Sequence, residues 1–171
     1  MSNAQIRIQI RGEGYDAFDG LPVTSAGNVI RGLSFFNLKR SLWIYGAGAS
    51  ENVVVGNFIG TDATGTFAAE LSPDQAHGIH VEQGAARNRI GGVAPEDRNV
   101  ISGNARHGVG FWHGGTNENL VLNNIVGLSP DGERRLPNRQ QGVDINFGAS
   151  FNRVGGLEPG ERNVISGNDV N

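Results

Sequence analysis

Arg98-Asn-Val-Ile-Ser-Gly-Asn104 and Arg162-Asn-Val-Ile-Ser-Gly-Asn168 are the same stretch of sequence, 64 positions apart. Two other pairs share that offset: Gly78-Ile-His-Val81 with Gly142-Val-Asp-Ile145, and Asn88-Arg-Ile-Gly-Gly92 with Asn152-Arg-Val-Gly-Gly156. A half-step match lies between them. Ser41-Leu-Trp-Ile44 and Gly108-Val-Gly-Phe111 open units of their own, followed by Asn52-Val-Val-Val-Gly-Asn57 and Asn119-Leu-Val-Leu-Asn-Asn124. Units therefore begin near Gly20, Ser41, Gly78, Gly108 and Gly142, with a partial one before them.

Each unit holds three short apolar segments separated by turns, as in Ile79-His-Val81, Asn88-Arg-Ile90 and Asn99-Val-Ile101. Strands this short cannot bury a face alone. Stacked so that equivalent strands pair in parallel, they bury a continuous core. An antiparallel sandwich predicts Asn-Gly hairpin signals, and the sequence has none. The fold expected is all-β: a right-handed, single-stranded parallel β-helix of about five coils, each of three short strands.

The Asn residues fit the same scheme. Asn52, Asn88, Asn119 and Asn152 start the second strands, and Asn57, Asn99, Asn124 and Asn163 the third. Stacking turns them into two columns whose side chains bond across the ~4.8 Å between coils. Asn also tolerates a left-handed corner. The repeated heptapeptide is then one corner and one strand of a coil.

Composition agrees and narrows the function. The chain has 171 residues, no cysteine, 27 glycines and a net charge of −3. Glycine is at more than twice its usual share, while Val and Ile recur on schedule, which fits turn-rich β structure rather than disorder. Near-neutral charge without a basic stripe gives no nucleic-acid footprint. No apolar run reaches the ~18 residues of a membrane span, and the N-terminus shows neither the basic nor the apolar region of a secretory signal. Met1-Ser2-Asn3-Ala4 reads as a cloning scar, leaving residues 5–171 as a single domain. The chain stops where a further first strand is due, so a fragment of a longer protein is expected.

"GNFIGTDATGT" (56–66), "RNRIGG" (87–92) and "RNVISGN" resemble the repeats of right-handed parallel β-helix proteins of the pectin-lyase-like superfamily, over roughly residues 20–171. Such repeats occur in large secreted or cell-surface bacterial proteins, so the resemblance implies that location. It also implies a first-sheet face on which polysaccharide is bound. The activity motifs do not carry over. His77 and His107 each precede a glycine but follow Ala76 and Arg106, unlike the Gly-His-Gly of polygalacturonases. Only Glu82 and Asp144 stand where pectate lyases carry an acidic calcium cluster.

Alternation along the strands sorts the side chains. Leu42/Ile44, Ile79/Val81, Val109/Phe111 and Val143/Ile145 point inward. Outward, one column runs Trp43, His80, Gly110, Asp144 and another Tyr45, Glu82, Trp112, Asn146. The second strands show only Val53, Arg89, Leu120 and Arg153 outward. The first face thus collects the aromatic and ionisable groups. Exposed aromatics beside polar groups suit a ligand such as the apolar face of a sugar. Two long loops, Thr61–His77 and Leu128–Gln141, flank it and are placed to wall a cleft.

Two readings stay open. On one, Trp43, Tyr45, Trp112, His113, Asn146 and Arg106 bind polysaccharide or a cell-surface glycan, with Asp144, Glu82 and His80 as candidate catalytic groups for a glycoside hydrolase or polysaccharide lyase. The Cα atoms of Glu82 and Asp144 are expected ~11–12 Å apart, and converging side chains then fall in the ~6.5–9.5 Å inverting range. Gly110 would leave a notch between His80 and Asp144. On the other reading, Phe67, Ala68, Ala69 and Leu71 cover Trp43 and Tyr45, while Leu128 and Leu136 cover Trp112. The domain is then a structural spacer. A third possibility is weak self-association through coil ends, whose open edges invite partners. No cofactor is implied, and no membrane insertion. Asp62 and Asp131, in "TDATG" and "SPDG", are explained by turn chemistry, with Ca2+ as the alternative.

Overall fold

The computed structural model describes residues 5–13, 18–68 and 77–170. The Met1–Ala4 stretch, and Ala69 and Leu71 of the long loop, lie outside them. Three parallel sheets run the length of the molecule. The first contains β2 (Leu21–Val23), β5 (Arg40–Tyr45), β8 (His77–Glu82), β11 (Val109–Trp112) and β14 (Val143–Asn146). The second contains β3 (Val29–Arg31), β6 (Val53–Val55), β9 (Arg89–Gly91), β12 (Leu120–Leu122) and β15 (Arg153–Val154). The third contains β1 (Ile8–Arg11), β4 (Leu33–Phe36), β7 (Phe58–Ile59), β10 (Val100–Ile101), β13 (Ile125–Val126) and β16 (Val164–Ile165).

The order first, second, third repeats five times after β1, so the chain winds as a parallel β-helix of five three-stranded coils. Every strand pairs in parallel with its equivalent one coil away. Among the described residues, antiparallel contact is confined to loop bridges, Thr61 with Ala68 and Leu128 with Arg135. Two 3-10 turns, Pro95–Asp97 and Pro159–Glu161, occupy the corner before the third strand. No helix among the described residues is long and apolar enough to cross a membrane.

The inward positions build the core. Leu42, Ile44, Ile79, Val81, Val109 and Phe111 are fully buried, facing Ile90 and Val121 of the second sheet and Phe35, Ile59 and Ile101 of the third. The fifth coil departs from this. Ile145 holds its register with Phe111 but is 44 % exposed, because no coil lies beyond it among the described residues. Glycines at the start of the first strands let coils approach closely. A Cβ at Gly78 would overlap the Gly108 carbonyl oxygen, and one at Gly108 would sit 2.6 Å from that of Gly142.

Both expected Asn columns are present, and the first begins a coil earlier. Its amides donate in sequence from Asn28 to Asn52 (2.8 Å), Asn88 (3.0 Å), Asn119 (3.0 Å) and Asn152 (2.9 Å). The second runs Asn57 to Asn99 (3.2 Å), Asn124 (2.9 Å) and Asn163 (3.2 Å). A third column was not foreseen: Asn104 to Asn138 (2.7 Å) to Asn168 (2.8 Å). Backbone N–H groups donate to the same acceptors, as from Asn52 to Asn88 Oδ1 at 2.9 Å. The remaining amide proton goes to a carbonyl of the preceding coil, such as Asn88 to Ala49.

In the first column, left-handed backbone belongs to the residue before the ladder Asn, not to the Asn. Glu51, Arg87, Glu118 and Phe151, all with φ between 56° and 60° or at 55°, precede Asn52, Asn88, Asn119 and Asn152. Asn88 is fully buried, so Asn88→Ala strands the Asn52 N–H, the Asn52 amide and the Ala49 carbonyl together, while Asn119 Oδ1 keeps only the backbone N–H of residue 88. At ~1–3 kcal/mol per stranded group, partly relieved by water, the loss should be about 3 kcal/mol or more. Urea unfolding should read it as a lower midpoint with an unchanged slope.

Candidate functional site

The register of the first sheet assembles the outward columns as expected. Trp43 pairs with His80, His80 with Gly110 and Gly110 with Asp144; Tyr45 pairs with Glu82, Glu82 with Trp112 and Trp112 with Asn146. A third column stands beside them, in which Arg40 pairs with His77 and His107 follows His77 by the same register, with the Gly78 N–H donating to the His107 carbonyl. The next corner adds one more. His113 and Phe147 both hold left-handed backbone, with φ of 73° and 51°, and their rings stack at 5.8 Å.

Side-chain directions change the picture drawn from alternation alone. The notch expected at Gly110 is filled: Trp112 leans across it, its indole nitrogen 3.5 Å from where a Cβ would be. That nitrogen donates to Asp144 Oδ2 at 2.5 Å. The indole meets His80 edge-on at 4.4 Å, His77 at 5.4 Å and His107 at 5.8 Å, with Phe147 at 5.4 Å on the outside. Trp43 donates to Glu82 Oε1 at 2.7 Å, stacks on Tyr45 at 3.9 Å and lies beneath the Arg40 guanidinium at 3.5 Å. Arg40 is held there by two 2.7 Å bonds to Asp19.

His80 and Glu82 are therefore not exposed, as a binding face read from the strands alone would have them; they are 4 % and 5 % accessible. His77 and His107, on the same face, are each 6 % accessible. Covering by the loops takes a different form from the one expected. Phe67 is 68 % exposed, and Ala68 packs at Gly103. Leu128 lies at Gly167, so Phe147 rather than Leu128 lies against Trp112. Asp62 and Asp131 behave as turn residues. Burial alone would raise the Asp62 carboxyl, but the Thr64 hydroxyl and the Thr66 and Phe67 N–H groups outweigh it and hold it low. Bonds from the Ser129 hydroxyl and the Glu133 N–H hold Asp131 low as well.

Two clefts flank the Trp112 ridge. One, about 440 Å³, is lined by Lys39, Arg40, His77, His80, Glu82, Arg106 and the rings of Trp112, His113 and Phe147. The other, about 500 Å³, shares Arg106, Trp112 and Phe147 and adds His107, Gln140, Gln141, Asp144 and Asn146. The Leu128–Gln141 loop thus walls a cleft through its last two residues. Of the expected site residues, His80, Glu82, Arg106, Trp112, His113, Asp144 and Asn146 come together. Trp43 and Tyr45 line neither cleft. Phe147, Lys39 and the two glutamines were missed; extending the outward columns one residue past Trp112 and Asn146 would have found Phe147.

The ionisable groups of the site are largely spent on one another. Glu82 takes the Trp43 indole and faces His113 Nδ1 at 3.2 Å, with His80 Nε2 at 3.8 Å, beyond hydrogen-bond length. Burial, with the nearby His80, Arg106 and His107, drives the His77 imidazole down to about 2. Burial also lowers His80 to about 4, against the pull of Glu82, and lowers His107 against that of Asp144. No group of three or more His, Asp or Glu among the described residues converges as a metal-ligand set. Compared with known proteins, the chain matches no family model, no curated protein and no solved structure.

The buried imidazoles set a pH dependence. Unfolded, these histidines titrate near 6.5; folded, His80 and His77 do so near 4 and 2. Between those values the unfolded chain holds the extra protons, so stability rises with pH and its full value is reached above about 6.5. It is lost as pH falls from there toward 4, by up to ~1.4 kcal/mol per pH unit for each histidine. Urea midpoints from pH 7 to 4.5 should fall steeply for the parent chain and more gently for His77→Gln.

Proposed function

We propose that this chain is a carbohydrate-directed β-helix domain, acting outside the cell or at its surface, that holds polysaccharide along the outward face of the first sheet. The observation that carries this reading is the pair of clefts side by side on that face, sharing a Trp112–Phe147 wall. Aromatic edges and faces cover the apolar side of a sugar ring, and amide, imidazole and guanidinium groups around them answer its hydroxyls. The likeness of the repeats to the pectin-lyase-like superfamily supports the same face.

Within that role the geometry favours holding over cleaving. An inverting pair needs one carboxyl to protonate the leaving oxygen and another to activate water. Here Glu82 and Asp144 each accept an indole N–H, and Trp112 lies between Asp144 and His80. Each carboxylate would have to work through its second oxygen while the first holds an indole.

A panel of neutral and acidic polysaccharides tests this, with binding read by calorimetry and product release by mass spectrometry. Binding without products is expected, and Trp112→Ala should weaken it by roughly tenfold to a hundredfold, the scale of a lost aromatic anchor. Products that vanish in Asp144→Ala would turn the face into a hydrolase or lyase centre. Absence of binding across the panel would leave a structural spacer.

A further inference from the structure

Four buried ring nitrogens on this face have no hydrogen-bond partner: Nδ1 of His77, both Nδ1 and Nε2 of His80, and Nδ1 of His107. A buried polar atom without a partner costs about 1–3 kcal/mol, and here they cluster in three adjoining rings. His77 stacks on His80 at 4.8 Å and sits 5.5 Å from His107. The indole of Trp112 stands edge-on to all three. It is held by the single bond to Asp144, is half-buried, and has an exposed Phe147 as its outer neighbour. Its ring is also the wall between the two clefts.

Resting on the carbohydrate reading above, we propose that Trp112 is a gate over an imidazole-lined subsite, and that the ligand which opens it is a neutral sugar recognised through its hydroxyls. Swinging Trp112 off Gly110 joins the clefts into one groove, uncovers His80 at its floor with His77 and His107 beside it, and leaves the indole at the rim to stack on the sugar it admits.

The choice of a neutral ligand follows from donors, acceptors and charge. A neutral imidazole presents one N–H and one lone pair. A hydroxyl answers both, since it donates and accepts, whereas a carboxylate or sulfate only accepts and leaves the lone pair stranded. The surrounding charges cancel. Lys39, Arg40 and Arg106 face the clefts, but Arg40 is bound to Asp19, and Glu82 and Asp144 complete three carboxylates against three cations. His113, on the next corner, is turned to Glu82. Burial keeps the three inner imidazoles neutral in the physiological range.

The chain has two tryptophans, so Trp43→Phe leaves Trp112 as the sole indole reporter. That protein is titrated with cellohexaose, xylohexaose and mannohexaose, and with hexagalacturonate as the acidic counterpart, reading indole emission alongside calorimetry. A neutral hexaose should bind and shift Trp112 emission, and hexagalacturonate should bind at least about tenfold more weakly. His80→Phe keeps the ring but removes both nitrogens and should cost about tenfold or more in affinity, the scale of two lost hydrogen bonds. Circular dichroism checks the fold, and His107→Phe gives a second readout should His80→Phe not fold. Preferential binding of hexagalacturonate, binding with silent Trp112 emission, or indifference to both histidine substitutions overturns the gate while leaving the carbohydrate reading in place. If no hexaose of either kind binds, both readings fall.

Discussion

The side-chain amide of asparagine, repeated at each corner, is the constraint on which this fold rests. A coil of three short strands turns three times, and each turn carries backbone N–H and C=O groups into the interior where sheet pairing does not reach them. Each of these must find a partner. The ladder Asn does so with one planar group. Its oxygen accepts a backbone N–H and an amide from the coil before, and its nitrogen donates to the coil after and to a carbonyl behind. Asn is suited because it offers two donors and an acceptor on a stem short enough to stay at the corner.

Once the ladders are in place, freedom elsewhere is small. They fix the register of successive coils, and register fixes which side chains share a column. Arg40, His77 and His107 line up, as do Trp43, His80, Gly110 and Asp144, because the corners are locked and the strands between them pair in one unbroken register. Among the described residues, insertions fall at the corner after the third strand, where the residue 61–68 and 128–135 hairpins sit, and at the corner before it, where the two 3-10 turns sit. The scaffold thus leaves one face on which side chains vary strongly from coil to coil.

The fold was readable because strand alternation and corner identity are local. The first two Asn columns, the outward columns and five coils follow from spacing within a unit. The third column was hidden because Asn138 sits in a loop, Leu136-Pro-Asn-Arg-Gln140, that resembles neither copy of the heptapeptide. What sequence alone could not supply is lateral direction. Trp112 belongs by alternation with Glu82 and Asn146, yet its indole crosses to the neighbouring column, because Gly110 leaves the room and Asp144 supplies the acceptor. The same crossing buries His80, and no pattern of residue types reports a rotamer. Arg40 illustrates the point again: its guanidinium lies over Trp43 because Asp19, a coil away and outside any repeat match, holds it there.

The ladders also have a sense. Every amide in them donates toward the C-terminal coils and accepts from the N-terminal side. Their bond dipoles consequently add along the axis rather than cancel, and the two ends of the stack are chemically unlike. Nothing among the described residues donates to Asn28 Oδ1, while Asn152, Asn163 and Asn168 end the columns with their forward amide protons unused. Two such ends of the same kind would set donor against donor. Whatever extends this stack, whether more of one chain or another, must be added with the same polarity, like one arrow placed behind the next.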